Sequence, residues 1–255
     1  MLIDSRNLNL LWELSISQYK LKDQSSFFGF LWSFLNPIFM VAILFVFFRG
    51  RFGGDIEHYG IYLLLGMIHY THFSNTTNNA MRVFISMRQL AKESVFPKEL
   101  LVMSATIANS VDFIIAMGVS LVVAYLVGVP ITSAAFALPL VIILQLLLVT
   151  WVAMVLACIF PFARDIDHIY QVFLRALLFL TPIFYTASFV GEGAARYLLM
   201  LNPLAQLIEL SRAILIHGQA PPADVVLMLV AINGLFITIT LRTFKVFEPK
   251  LAEYV

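Results

Sequence analysis

The sequence is built from apolar runs that are too long for a soluble core. We expect six of these runs to be membrane-spanning helices, at about residues 30–48, 59–81, 102–127, 134–160, 169–189 and 224–242. Each is close to the ~20 residues that a helix needs to cross ~30 Å of hydrocarbon. The composition agrees, since 61% of the 255 residues are hydrophobic, 12% are charged and the mean hydropathy is +0.91. The runs predict an all-α integral membrane protein.

The charged and sulfur-containing residues argue against several classes of function. A formal net charge of +1 provides no basic surface that could replace the counterions of a nucleic acid, so we expect no nucleic-acid partner. One cysteine, Cys158, cannot form a disulfide or a thiolate metal site within one chain. We therefore expect a small buried apolar residue there, and no metal site.

Sequence signatures of common enzymes are also missing. There is no Gly-Lys dipeptide, and therefore no P-loop that could hold the phosphates of ATP. The motifs G-x-S-x-G, H-E-x-x-H and C-x-x-C are absent as well. A membrane-embedded glycosyltransferase or hydrolase stays an alternative, because Asp165 and Asp167 lie close together in a predicted short turn. We favour a non-catalytic chain that carries no cofactor.

Residues 1–28 are more polar than the spans and predict an amphipathic helix in the membrane interface. At 100° per residue the polar side chains share one face, and several apolar side chains lie away from it. A cytoplasmic helix packed against a partner is the alternative. The polar face contains Arg6, Asn9, Glu13, Ser17 and Lys20, and the apolar side chains are Leu8, Leu11, Trp12 and Tyr19.

The distribution of Lys and Arg predicts the orientation of the spans. If the amino terminus is inside, most cations of the predicted loops fall on the inner side. The exceptions are Arg49, Arg51, Arg196 and Arg212. Cytoplasmic loops are enriched in Lys and Arg, so we expect both termini to be cytoplasmic.

Among the ionisable side chains within predicted spans, three are candidates for a functional site. His69 and His72 are three residues apart and share a helix face, which leaves a metal or proton-relay site possible but favours a polar strip facing other helices. Asp112 would cost several kcal/mol if unpaired in hydrocarbon, so it should face protein or water and have a partner. A proton or substrate site is one interpretation of Asp112, and an interhelical hydrogen bond is the favoured one.

Several segments resemble the ABC-2 type polysaccharide and polyol-phosphate exporter permeases. Residues 25–39, SSFFGFLWSFLNPIF, resemble the family's entry into the first span. Residues 88–104, RQLAKESVFPKELLVMS, resemble its cytoplasmic coupling helix and the entry into the third span. The resemblance continues in PFARDIDHIY at 161–170, FLTPIFY at 179–185 and LNPLAQLIELSRAILIHG at 201–218. Within this family, the chain is most similar to the membrane subunits of O-antigen exporters.

The resemblance implies a permease without its own ATPase, in a bacterial inner membrane and surrounded by membrane lipids. Two copies would form a homodimer, and two separate nucleotide-binding subunits would bind ATP and Mg²⁺. The implied substrate is an undecaprenyl-type lipid-linked glycan. Export of a capsule, a teichoic acid, a drug or a lipid is the alternative within this class. A proton- or ion-coupled secondary transporter using Asp112 and the histidines would instead need no ATPase and would be expected to contain inverted repeats.

The resemblance also implies roles for individual residues of the transmembrane domain, 29–255. A coupling region at 82–101 would dock on the ATPase, and a re-entrant external gate at 190–223 would lie between spans five and six. Glu209 and Arg212 are three residues apart and can pair on one helix face. The implied coupling residues are Arg88, Lys92, Glu93, Pro97, Lys98 and Glu99, the gate residues are Pro203, Glu209 and Arg212, and the pore-lining candidates are Phe30, Phe34, Phe39, Tyr170, Phe173 and Tyr185. Any of these aromatic rings could instead face lipid.

Overall fold

The computed structural model describes residues 5–22, 32–54, 56–92, 97–186, 189 and 193–254. Every regular element in these ranges is helical, which confirms the all-α prediction. A 3₁₀ turn at Ser133–Ala137 precedes the seventh helix. The helices are α1 (Ser5–Lys22), α2 (Trp32–Phe52), α3 (Tyr59–Met81), α4 (Val83–Ser86), α5 (Arg88–Lys92), α6 (Glu99–Leu126), α7 (Leu138–Ile159), α8 (Ile166–Leu180), α9 (Ala194–Leu201), α10 (Pro203–Leu215) and α11 (Ala223–Tyr254).

Three helical stretches of the described chain are long and apolar enough to cross a membrane. They are Glu99–Leu126, Ser133–Ile159 and Ala223–Glu248. Helix α3, of 23 residues, coincides with the second predicted span, and α2, of 21 residues, begins within the first predicted span and ends beyond it. The fifth predicted span overlaps a shorter helix, because α8 ends at Leu180. Thr181 has an extended backbone there and precedes Pro182, which removes the next helical N–H.

Helix α3 is the centre of the structure. It packs against α2, α6, α7 and α10, and most of its side chains are buried. Its apolar residues join those of α6, α7, α8 and α10 in one large core. The chain therefore surrounds α3 with other helices, so that its polar side chains meet protein groups.

A second, smaller core joins both ends of the chain to the predicted coupling region. It contains Leu14 of α1, Phe84 of α4, Ala91 of α5 and Phe244 of α11, together with residues of α3, α6 and α7. The rings of Phe84 and Phe244 are 6.0 Å apart between centroids. This second core holds α4 and α5 against the long helices that follow and precede them.

Helix α1 has three distinct faces. One face packs on α6 and buries Leu14 and Ser15. The predicted polar face is exposed throughout. Between the two lies an exposed apolar strip that includes Leu8 and Trp12, which are 52% and 64% exposed. A helix with an exposed apolar strip next to a charged face suits a boundary between lipid and water.

Candidate functional site

Arg212 is the most completely bonded side chain of the predicted external gate. It lies on α10 and is only 1% exposed. Its Nη1 donates to the carbonyl oxygen of Pro182 (2.7 Å) and to Oε1 of Glu209 (2.6 Å). Its Nη2 donates to the carbonyl oxygens of Ile183 (2.9 Å) and Tyr62 (3.1 Å), and Nε donates to the same Tyr62 oxygen (3.3 Å). The guanidinium thus joins α10 to α3 and to the chain after α8.

The side chains around Arg212 complete this arrangement. The guanidinium carbon lies 3.3 Å from the centroid of the Tyr62 ring, so a cation–π contact accompanies the hydrogen bonds. Glu209 and Arg212 do pair, as their spacing allows, but the carboxylate is 45% exposed while the guanidinium is buried. Backbone carbonyl oxygens are therefore most of the hydrogen-bond acceptors that stabilise the buried cation.

The non-helical segment 181–185, which we call the carbonyl segment, is bonded by aromatic hydroxyls as well. Tyr59 donates to the carbonyl oxygen of Phe184 (3.0 Å) and Tyr62 donates to that of Tyr185 (2.7 Å). The hydroxyl of Tyr185 donates back to the carbonyl oxygen of Phe179 (2.6 Å). Irregular backbone is tolerated at membrane depth only where protein groups or a water-filled cavity satisfy it. The carbonyl segment meets this requirement through side chains of α3 and α10.

Gly66 allows the close approach of α3 to the carbonyl segment. A Cβ at this position would lie 3.0 Å from Nη2 of Arg212, 3.1 Å from Cγ2 of Ile183 and 3.3 Å from its Cα. Arg212 cannot move away without lengthening its own hydrogen bonds. The absence of a side chain at Gly66 is therefore part of the Arg212 site.

We expect Gly66→Ala to lower the unfolding midpoint of the purified chain, because the new methyl group pushes against Arg212 and Ile183. Over-packing of this kind costs about 1–3 kcal/mol. Gly118→Ala is the matched control, since Gly118 is also helical and a Cβ there meets nothing within 4 Å. Thermal unfolding in detergent measures both variants. Equal midpoints for the two would show that the contact at Gly66 is not tight.

His69 and His72 form a buried polar cluster with three side chains from other helices. Nδ1 of His69 lies 3.2 Å from Oε1 of Gln145 on α7, and its Nε2 lies 2.8 Å from the hydroxyl of Ser211 on α10. Nε2 of His72 lies 3.1 Å from the hydroxyl of Ser110 on α6, and its Nδ1 lies 3.4 Å from Nε2 of Gln145. We call these five residues the histidine cluster. It joins α3 to α6, α7 and α10.

The hydrogen bonds of the histidine cluster assign one consistent set of neutral tautomers. Since Oε1 of Gln145 can only accept, His69 donates from Nδ1 and accepts from Ser211 at Nε2. Since Nε2 of Gln145 donates, His72 accepts at Nδ1 and donates from Nε2 to Ser110. The Ser110 hydroxyl in turn donates to the carbonyl oxygen of Thr106 (2.7 Å).

This assignment favours the interpretation of the two histidines as a polar strip between helices. All four ring nitrogens have a protein partner, so a metal ion would have to displace existing bonds. No group of three or more His, Cys, Asp or Glu residues that could hold a metal occurs in the described ranges. The geometry therefore supports an interhelical role over a metal site.

Asp112 has the partner that its position requires. The ammonium group of Lys22, in the last turn of α1, forms an ion pair with Oδ2 of Asp112 on α6. Gln18, one turn earlier on α1, donates to the hydroxyl of Ser104 and to the carbonyl oxygen of Leu101 (3.3 Å). Asp112 therefore belongs to the contact between α1 and α6.

The predicted coupling region, 82–101, is only partly exposed. Arg88 and Lys92 on α5 are exposed, and Pro97 is half-buried. Glu93 lies outside the described residues. Lys98 and Glu99 are buried, at 5% and 4% exposure. Of the described coupling candidates, Arg88 and Lys92 thus have charges that another protein can reach.

Lys98, at the start of α6, is bonded to Glu248 of α11. The backbone N–H of Lys98 donates to Oε1 of Glu248 (3.1 Å), and its ammonium group lies 3.5 Å from the Glu248 carbonyl oxygen. Lys98 is the N-cap residue of α6, so the Glu248 carboxylate lies near the positive end of the α6 dipole. This bond links the end of α11 to the coupling region.

Arg82, at the start of the coupling region, pairs with Asp167 at the start of α8. Nη2 of Arg82 donates to Oδ1 of Asp167 (2.6 Å). This hydrogen bond holds the pKa of the Asp167 carboxyl below its usual range. The pair therefore stabilises the fold above the ordinary aspartate pKa, and its contribution is lost as the pH falls through the lowered value.

The pore-lining candidates occupy two kinds of environment. Phe39 and Phe173 are exposed, at 56% and 47%. Tyr170 is buried and donates to the hydroxyl of Thr77 (2.6 Å), and Tyr185 is buried in the carbonyl segment. Phe30 and the side chain of Phe34 lie outside what the structure describes. Among the described candidates, Phe39 and Phe173 present aromatic rings at the surface of the chain.

Several important residues were not among the sequence candidates. Gln145 is a lone amide within the very apolar α7, and that contrast was a usable signal. Asn202 caps α10 by accepting from Leu204 and Ala205 backbone N–H groups, and Asn-Pro before an apolar run is a usual helix-start pattern. The roles of Tyr62 and Gly66 had no local signal, because their partners are distant in sequence.

Comparison with known proteins places the chain in a transporter family. A sequence model described as ABC-2 type transporter matches residues 9–216. An O-antigen export system permease protein RfbA of Myxococcus xanthus is 26% identical over 246 residues, which are 96% of this chain and 94% of that protein. A protein of the same name from Klebsiella pneumoniae is 24% identical over 253 residues, covering 97% of this chain and 96% of the relative. The protein belongs to the ABC-2 type transporter family.

Proposed function

We propose that the chain is the membrane subunit of an ATP-driven exporter that moves a lipid-linked polysaccharide of the O-antigen type out of the cell. The near full-length similarity to O-antigen export permeases carries this proposal. The ATP and Mg²⁺ are bound by a separate subunit, since this sequence contains no P-loop. Two copies of the chain and two ATPases form the working transporter, with the translocation route on the two-fold axis.

Six spans lie in the bacterial inner membrane, formed by α2, α3, α6, α7, α8 and α11, and both termini are cytoplasmic. The uneven distribution of Lys and Arg supports this orientation. In this topology α9 and α10 fold back from the outer surface as the gate. The fully bonded carbonyls of residues 181–185 support a position at membrane depth, because no water is needed to satisfy them.

The Arg212 site makes the gate a rigid extension of α3. Five hydrogen bonds from one guanidinium connect α10 to α3 and to the carbonyl segment. A movement of α3 relative to the other chain therefore carries α10 with it. Opening of the route is then a rigid-body separation of the two chains.

The coupling region transmits ATPase movement through two contacts. Arg88 and Lys92 on the exposed face of α5 contact the ATPase, and the second core joins α4 and α5 to α6 and α11. Lys98 and Glu99 act from within the chain, where Lys98 is held by Glu248. A displacement of α5 therefore moves α6 and α11 with it.

The proposal is tested by co-purification of the chain with the ATPase encoded beside its gene. We expect a complex of two membrane chains and two ATPases. Reversing both exposed charges, Arg88→Glu with Lys92→Glu, should reduce the recovered ATPase about tenfold or more, because repulsive charges at a contact cost several kcal/mol. Lys20→Glu is the control, since Lys20 is an exposed cation on α1.

Each outcome of the co-purification has a separate meaning. Loss of ATPase with the α5 variant but not with Lys20→Glu supports both the transporter assignment and the docking surface. Full recovery of the ATPase with the α5 variant would show that the ATPase docks on another surface of the chain. Failure of the unaltered chain to bind any ATPase would contradict the proposed function.

A further inference from the structure

A polar pocket lies between α1, the end of α3, α4 and α6, and it has no role in the Arg212 site or the histidine cluster. Its volume is about 450 Å³. Its apolar lining includes Val83, Ala105 and Ala108. Its polar wall consists of Gln18, Lys22, Asn79, Arg82, Ser86 and Asn109.

The lining of this pocket offers two cationic groups to an anion. Lys22 and Arg82 both line it, and none of the described lining residues is acidic. The acidic partners, Asp112 and Asp167, hold the two cations from outside the lining. The side chains of Lys22 and Arg82 are 30% and 41% exposed, so both cations are anchored and still accessible.

The remaining donors have fixed positions. Arg82 donates to Asp167 through Nη2, and a guanidinium has five N–H donors in all. Nδ2 of Asn79 donates to Oδ1 of Asn109 (3.0 Å), which orients both amides at the wall. Gln18 uses both N–H groups of its amide on Ser104 and Leu101 of α6, so it supports the wall and has no donor left for a ligand. An anion with several oxygens, flanked by an ammonium and a guanidinium, is what such a wall recognises.

We infer that this pocket binds the phosphate groups of a lipid headgroup, and that its ligand is the pyrophosphate of the lipid-linked glycan. This inference rests on the proposed function. Leu21 and Met87 extend the lining with apolar surface on which the first carbons of a lipid chain can lie. Lys22 on α1 and Arg82 at the end of α3 can each donate to one phosphate group of a pyrophosphate, while Asp112 and Asp167 hold the two cations in place.

The position of the pocket gives binding a consequence for transport. Lys22 ends α1, and Arg82 begins the coupling region. A ligand between them draws α1 toward α4 and α5. Binding of the substrate thereby changes the position of the surface that docks the ATPase, before any glycan enters the route.

The test is direct binding of farnesyl pyrophosphate to the purified chain, with inorganic pyrophosphate measured in parallel. Lys22→Gln and Arg82→Gln should each weaken binding of farnesyl pyrophosphate about tenfold or more, since each removes a charge-assisted hydrogen bond. Lys20→Gln is the matched control, because it removes the same charge from the exposed face of the same helix. Arg82→Lys keeps the charge and should lose less affinity than Arg82→Gln. Thermal unfolding of each variant identifies any that does not fold.

Three outcomes would overturn the inference. Equal affinity in the Lys22, Arg82 and Lys20 variants would show that the pocket is not the binding site. Inorganic pyrophosphate binding as tightly as farnesyl pyrophosphate would show that no lipid is recognised. Full displacement of farnesyl pyrophosphate by equimolar phosphatidylglycerol would assign the pocket to bulk phospholipid. Co-purification of the unaltered chain with the ATPase is read separately, so failure here leaves the proposed function standing.

Discussion

Arg212→Ala is expected to destabilise the purified chain by about 3–5 kcal/mol, the usual cost of breaking a buried charge network. The substitution leaves the carbonyl oxygens of the buried residues Tyr62, Pro182 and Ile183 without their donor. It also removes the connection between α10, α3 and the carbonyl segment. Export should be lost together with stability, because α10, which we propose as part of the gate, is no longer joined to α3.

The midpoint of thermal unfolding in detergent measures this effect. Arg196→Ala is the control, since Arg196 lies on the neighbouring α9 and is exposed. Arg212→Lys should fall between the two, because an ammonium group has three donors and cannot reproduce the planar guanidinium contacts. Equal midpoints for Arg212→Ala and Arg196→Ala would show that the Arg212 site does not hold α10 in place.

Gln145→Leu is expected to destabilise the chain by about 2–4 kcal/mol, because it leaves buried groups of both histidines without partners. The one amide of Gln145 contacts the His69 ring, the His72 ring and the His69 carbonyl oxygen. Leucine has nearly the same volume, so the effect reports lost hydrogen bonds and not a cavity. Gln206→Leu is the matched control, since Gln206 makes a single exposed bond to Met200.

Addition of Zn²⁺ to the unaltered chain, to Gln145→Leu and to His69→Ala distinguishes the histidine cluster from a metal site. Addition of Zn²⁺ should leave the unfolding midpoint of the unaltered chain unchanged, because all four ring nitrogens already have protein partners. A midpoint that rises with Zn²⁺ in the unaltered chain and in Gln145→Leu, but not in His69→Ala, would instead identify a metal site.

The sequence predicted those features that depend on local pattern. The limits of α3 coincide with the second predicted span, and the three-residue spacing of Glu209 and Arg212 anticipated their ion pair. Helix α8 ends two residues before Pro182, within the fifth predicted span. Lone polar residues in apolar runs, such as Asp112, correctly indicated that a partner must exist, although Lys22 could not be named as that partner.

The features that the sequence did not predict depend on contacts between distant residues. The bonds of Arg212 to Tyr62 and Pro182 join residues that are far apart in the chain, and backbone acceptors leave no sequence signal. Lys98 and Glu99 have the composition of an exposed turn, yet they are buried. Helix α11 continues beyond the predicted end of the sixth span, and Glu248 on this continuation bonds to Lys98.

The most direct test of the account is ATP-dependent transport in inverted vesicles that contain this chain, its neighbouring ATPase and a fluorescent lipid-linked glycan. We predict that the glycan becomes protected inside the vesicles only when both proteins and hydrolysable ATP are present, and that Arg212→Ala abolishes this protection. Transport by the chain alone, driven by a proton or ion gradient and abolished by Asp112→Asn, would contradict the account.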